Sequence, residues 1–178
     1  MSNKRWIGLT TIKLGVKALS TQGAYMPSTF TTISNIVPDS ARFYLTKPEA
    51  TKLYVEDSYE PDVVVSGGES DIGCEFATRD MDFNSVLVIA FGGTTATSIY
   101  SFPTAQTVIR AKAVELTSID YNGDYFKIEI PNALIEANAD LKMYNLNPDT
   151  GQIGFKLTAM KAVSAGGTVV APFKITRV

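Results

Sequence analysis

Residues 107–136 read TVIRAKAVELTSIDYNGDYFKIEIPNALIE, and this stretch decides the fold class. Val114 and Leu116 alternate with Glu115 and Thr117, and Phe126, Ile128 and Ile130 alternate with Lys127 and Glu129. A period of two is what a strand with one buried face requires. Between the two runs stands Asn122-Gly123, a strong hairpin signal because both residues tolerate positive φ. The spacing predicts strands over Thr107–Thr117 and Tyr125–Ile130 joined antiparallel, with Ala133–Glu136 as a further strand.

The same texture continues outward. Downstream, Leu141–Tyr144, Ile153–Met160 and Val169–Thr176 read as strands, and Pro148-Asp149-Thr150-Gly151 as a turn. Upstream, Ser98–Phe102, Ile72–Thr78, Thr51–Glu56 and Ser40–Thr46 alternate in the same way, the last two split by Lys47-Pro48-Glu49. Ile7, Leu9, Thr11 and Lys13, followed by Leu14, Val16 and Ala18, predict a first strand with a bulge-like slip near Lys13–Leu14. One segment breaks the pattern. Asp80 and Asp82 precede the apolar run Val86–Phe91, and Gly92-Gly93 follows it. A carboxylate cap and a glycine stop predict the one helix, against the strand preference of its valines and isoleucine.

Two stretches near residues 20–35 and 57–70 read as long loops, the second as an extended loop or a hairpin standing out from the body. Each is rich in turn residues and carries apolar or aromatic side chains: Tyr25, Met26 and Phe30 in the first, Tyr59, Pro61, Val63 and Val65 in the second. About ten short strands and one helix predict a mainly β, antiparallel sandwich or barrel, closed or nearly closed, with residues 1–178 forming a single domain.

Composition narrows the function classes. The chain has 178 residues, 45% of them hydrophobic and 19% charged, with a net charge of −2, the mix of a folded protein. The 16 basic and 18 acidic residues are scattered, without the basic stripe that a phosphate backbone demands. The longest apolar run, Val86–Phe91, falls far short of the roughly 20 residues that span a bilayer. Lysine and glycine interrupt any apolar signal core at the start, so the chain is expected to be made and kept in the cytosol. With one cysteine and no histidine, an internal disulfide, a multi-thiolate metal site and histidine general-base chemistry are all excluded. No metal or other cofactor is expected. Cys74 shares a strand face with Ile72 and Phe76 and reads as a buried, inert thiol.

The remaining motifs favour structural readings. Asp120-Tyr121-Asn122-Gly123-Asp124 has the look of a calcium loop, but its twelfth position is Pro131 instead of a bidentate glutamate. Gly67-Gly68, Gly92-Gly93 and Gly166-Gly167 lack the lysine and strand-to-helix context of phosphate loops. Asp80 and Asp82 sit two apart at a helix start, where they serve its cap and dipole. Serine and threonine are abundant without a matching base, so an enzyme is not expected.

Several segments, taken in order, resemble the tail tube, or major tail, proteins of bacteriophages, especially those of Bacteroidetes hosts. They are Ile7–Gly15 (IGLTTIKLG), Met26–Ile33 (MPSTFTTI) with Val37–Ala41 (VPDSA), Tyr54–Ser58 (YVEDS), Arg79–Asp82 (RDMD) leading to Phe91–Gly93 (FGG), Lys127–Ala133 (KIEIPNA) and Ile153–Met160 (IGFKLTAM). The resemblance implies a virion structural protein. Six copies of a β-sandwich or barrel with a flanking helix would close into a ring, and rings would stack into a tube through which DNA passes without specific binding. Partners implied are further copies of the chain and other tail proteins such as the tape measure and terminator. Long loops stack the rings in that family, which points to Tyr25, Met26, Phe30, Tyr59, Pro61, Val63 and Val65 as subunit contacts. The inner tube of a contractile injection or type VI secretion system shares this fold. A carbohydrate-binding or surface-binding β-sandwich is the reading from a different class, with Trp6, Tyr25, Tyr59 and Tyr100 as its exposed aromatics.

Overall fold

The computed structural model describes residues 8–17, 25–46, 50–54, 61–66, 71–104, 110–119, 123–140, 151–163 and 167–178. Along them run β1 (Leu9–Val16), β2 (Phe30–Ile33), β3 (Arg42–Leu45), β4 (Ala50–Tyr54), β5 (Pro61–Ser66) and β6 (Ile72–Thr78). A wide π-helical turn, Phe83–Leu87, leads into a single α-helical turn, α1 (Val88–Phe91). Then follow β7 (Thr94–Ala96), β8 (Ile99–Ser101), β9 (Arg110–Ser118), β10 (Phe126–Asp140), β11 (Gln152–Ala159), β12 (Ala162–Val163), β13 (Val169–Val170) and β14 (Lys174–Arg177).

Eight strands form one antiparallel sheet in the order β2-β1-β9-β10-β11-β6-β3, with β14 as an extra partner of β10. The long strand β10 organises it. Its first part, Phe126–Glu129, pairs with β14, and its later part, Ala133–Asp140, pairs with β11 along that same edge. Two runs, β2-β1-β9-β10-β14 and β10-β11-β6-β3, therefore share one strand, a sandwich-like arrangement. The sheet is not closed into a barrel. Its ends do approach one another: just past β2, Ile36 bridges to Thr78 of β6, and the Thr78 hydroxyl donates to the Ser34 carbonyl at 2.6 Å.

Pro131 and Asn132 explain how one strand serves both runs. Ile130 faces Val114 and Ala133 faces Lys112, so β10 advances three residues while β9 advances two. The extra residue is a bulge, and proline, having no N–H to give a ladder, is tolerated there. Buried positions shift parity across it, from Ile128 and Ile130 to Ala133 and Ile135. Asn132 anchors the bend, its side-chain N–H donating to the Lys161 carbonyl at 2.7 Å and its backbone carbonyl accepting from the Met160 N–H at 2.8 Å. The sequence reads as two strands here; the structure joins them into one.

One core lies between the runs. Ile12 and Leu14, Val114 and Leu116, Ile128 and Ile130, Ile153, Phe155 and Leu157, and Cys74 and Phe76 meet there with Val86, Leu87 and Ile89 of the helical segment. Phe76 and Phe155 stack with ring centroids 4.8 Å apart. Each fully buried large aliphatic side chain contributes about 1.5–3 kcal/mol, so this alternation is the main force selecting the register.

The helix signals hold, with a change of type. Asp82 caps the segment by accepting from the Asn84 and Ser85 N–H groups at 3.0 and 2.6 Å, and Gly92 and Gly93 end it at φ 77° and 83°. The Leu87 N–H reaches back five residues to the Asp82 carbonyl, which widens the first turn. Four expectations need correction. The expected strand Val169–Thr176 divides into β13, which pairs with β12, and β14, which pairs with β10, with residues 171–173 outside either ladder. The slip in β1 lies between Leu9 and Thr11, not near Lys13–Leu14, because Ile12 and Leu14 keep phase on the core face. The stretch near 20–35 is not all loop, since its end forms β2 and pairs with β1. Of the expected closed or nearly closed forms, the closed barrel is absent, because β2 and β3 do not pair. In the stretch near 57–70, β5 pairs with β4 in a separate two-stranded sheet. The expected Leu141–Tyr144 strand and most of the 148–151 turn lie outside the described residues.

Candidate functional site

The residues expected to make subunit contacts fall in two places. Tyr25, Met26 and Phe30 belong to the approach to β2, while Pro61, Val63 and Val65 lie on the backbone of β5. Tyr59 lies outside the described residues. The structure thus brings the first three together, and the β5 group stands on a different sheet.

Residues 25–29 cross the outer face of the sheet. Gly15 of β1 is where they settle: a Cβ placed there would meet Pro27 Cγ at 2.6 Å, and the Phe30 ring and Thr29 carbonyl at 3.0 Å. Glycine within a strand marks a close approach, and here the strap makes it. Ala113, which faces Gly15, and Pro131, at the bulge opposite, are also buried. Gly15, Ala113 and Pro131 form a lane of compact residues across β1, β9 and β10. Beyond it, the Tyr25 hydroxyl donates to the Ala171 carbonyl at 2.9 Å, and Lys174 Nζ sits 3.7 Å from the Tyr25 ring centroid. Burial, with a smaller contribution from the Glu129 charge, pushes the Tyr25 phenol up to about 12.

A charged row runs beside the lane. Lys13 faces Glu115, Glu115 faces Glu129, and Glu129 faces Lys174 across four strands. Two glutamates directly opposite would repel. Lys127 answers both, at 2.9 Å from Glu129 and 3.9 Å from Glu115, while Lys13 holds Glu115 at 2.8 Å. The hydrogen bond to Glu129 is the main cause of a raised Lys127 pKa.

The ends of the main sheet are the other exposed feature. β2 and β3 each have a ladder partner on one side only among the described strands. β2 is Phe-Thr-Thr-Ile, with neither charge nor proline to blunt its edge. β3 carries Arg42, paired to Glu75 at 2.7 Å. Large apolar side chains lie exposed nearby, Val16 (72%) at the end of β1 and Leu45 (54%) at the end of β3.

The other sequence motifs resolve structurally. Cys74 is fully buried, and burial holds its thiol up at about 12. Asp82 is engaged as the cap, with its pKa lowered mainly by the Ser85 hydroxyl. Asp124 accepts from Arg177 at 2.6 Å, which ties the hairpin to β14. The Tyr100 hydroxyl donates to the Gly92 carbonyl. No group of three or more histidine, cysteine or carboxylate residues among the described residues is placed to hold a metal, and none of the described helices is long and apolar enough to cross a membrane. Sequence reading missed Gly15, Pro27, Glu129 and Lys174 as parts of one surface; the glycine inside a strand pattern was the available signal. The chain matches no protein-family model and no curated protein.

Proposed function

We propose that this chain is a self-assembling structural subunit of the phage tail-tube type, whose copies join into rings, hexameric by the resemblance, that stack as a conduit for DNA. The observation that carries the reading is the open sheet whose end strands, β2 and β3, each leave one edge without a ladder partner among the described strands. Setting β2 of one copy against β3 of the next would continue the ladder from subunit to subunit. Such a head-to-tail joint closes as a ring when the rotation permits. It would also satisfy the backbone groups of the uncharged β2 edge and cover Val16 and Leu45. Tape-measure and terminator proteins are the partners the same reading brings, and the virion tail is the location.

The test is light scattering across a concentration series, paired with negative-stain electron microscopy. Rings or tubes are expected from the wild type. Thr32→Glu should abolish them while leaving the fold intact: Thr32 is exposed, and its register partner is Lys13, but a carboxylate at the joint would be desolvated. A protein that stays monomeric at every concentration and binds glycans instead would replace this reading with the surface-binding module.

A further inference from the structure

The strap over the outer face has a feature that the free edges alone do not require. Residues 25–29 lead directly into β2, the edge that the self-assembly reading uses, yet they turn back across their own sheet. Both ends of the crossing are fixed. At β1, Pro27 and Thr29 close over Gly15, where any larger residue would collide with them. At β14, Tyr25 is held twice, through its hydroxyl to Ala171 and through its ring face to Lys174. The lane between them carries only Ala113 and Pro131, so the strap lies on a surface without long side chains. In the charged row beside it, Lys13 and Lys127 pair with Glu115 and Glu129, while Lys174 at the row's end sits over the Tyr25 ring.

We propose that Tyr25 is a latch that stores residues 25–29 on the subunit's own sheet, and that its release presents this segment, with the β2 edge it leads into, to a second copy of the chain. The proposal rests on the self-assembly reading and adds a control to it. The latch is weak by construction. One neutral hydrogen bond and one exposed cation–π contact are each broken by thermal opening far more readily than the core. The closed strap is favoured in the free subunit, and a neighbour supplies the competing contacts that open it.

The experiment uses the full-length protein with Tyr25→Phe, which removes the hydroxyl and keeps the ring, and Lys174→Met, which removes the cation and keeps the strand. Hydrogen exchange of residues 25–29 is followed in the dilute subunit, and the lag before assembly is followed by light scattering. Each variant should raise exchange in the strap roughly 3- to 10-fold, leave exchange in β9 and β10 unchanged and shorten the lag. Unchanged strap exchange in both variants would overturn the latch. Faster exchange with an unaltered lag would overturn its control of assembly. If wild type and both variants stay monomeric throughout, the self-assembly reading falls and the control falls with it, while exchange still decides whether Tyr25 holds the strap. Assembly by a variant alone would support both.

Discussion

Two glycines in this sheet should respond in opposite ways to the same added methyl group. Gly73 sits in β6 between β3 and β11, with Tyr44 opposite on one side and Thr158 on the other. A Cβ there would overlap the Leu157 carbonyl oxygen and stand 2.6 Å from the Tyr44 hydroxyl. That carbonyl belongs to the β11 backbone, so it can move only by disturbing the sheet. Overpacking costs about 1–3 kcal/mol, and an immovable neighbour puts Gly73→Ala near 3. Alanine returns about 0.5–1 kcal/mol of backbone entropy, leaving a net loss of about 2–2.5 kcal/mol. For a chain of this size that is a fall in Tm of about 5–10 °C. At Gly15 the nearest colliding atom, Pro27 Cγ, and the Thr29 carbonyl belong to the strap, which can lift, and the Phe30 ring of β2 needs to give by only a few tenths of an ångström. The cost of Gly15→Ala is therefore capped by what the strap contacts contribute, about 2 kcal/mol for the hydrogen bond and cation–π contact together. After the same entropy correction, about 1 kcal/mol remains, or roughly 2–4 °C. Thermal melts by circular dichroism measure the first difference, and hydrogen exchange at residues 25–29 measures the second. Gly15→Ala should speed strap exchange and Gly73→Ala should not. A Gly73→Ala protein that melts no lower than Gly15→Ala would refute the argument that backbone immobility sets the cost.

Alkaline pH should destabilise the fold through Cys74. Its folded pKa of about 12 lies above the ordinary 9.0, so the contribution is fully present below pH 9 and is lost as pH rises toward 12. By pH 10.5 the loss is about 2 kcal/mol. Cys74→Ala should flatten the slope between pH 9 and 10, before Tyr25 adds to it, as denaturant titrations at each pH would show; an unchanged slope would remove the thiol from the account. Asp82→Ala should loosen the turn at Phe83–Leu87, read as faster exchange at Asn84 and Ser85, whereas Asp82→Asn should retain most of the protection because it can still accept both N–H bonds. The lowered Asp82 pKa gives the opposite pH sense to Cys74: its contribution is present above the ordinary carboxylate range and fades as pH falls through the folded value.

The sequence was informative wherever local physics decides structure. Alternation placed β6, β9 and β11 within a few residues of their ends, and Asp82 with Gly92-Gly93 marked the helical segment. At Pro131 the local signal was present but incomplete. Ile128 and Ile130 share one parity and Ala133 and Ile135 the other, which is the trace of a bulge inside one strand, yet two separate strands would show the same trace. Only the neighbours distinguish the cases: β14 and β11 claim successive parts of one edge, and β9 runs along the other. The error near Lys13–Leu14 has the same origin. Odd-numbered Leu9 and even-numbered Ile12 and Leu14 require a slip, and only the pairing with β9 places it between Leu9 and Thr11; Val16 keeps the phase of Leu14 yet is 72% exposed.

The same reasoning connects Val16 to function. A strand-end valine left in water next to an uncharged edge strand has no role in the subunit's own core, and the free edge of β2 gains nothing from being bare in a monomer. Each is a liability for an isolated chain. Both become useful if another copy supplies the missing strand, and the strap that crosses β1 beside them is then in the right place to control when that happens. Tyr25 was singled out in the sequence because an aromatic in a turn-rich loop suggests a contact. Its observed partners, Ala171 and Lys174, lie about 146 and 149 residues further along the same chain. No local pattern could have found that pairing, since it depends on β10 bringing β14 to the first run. The contact surface expected from the loop and the proposed latch therefore turn on the same tyrosine, which the structure holds on its own subunit and which the proposal releases to meet another.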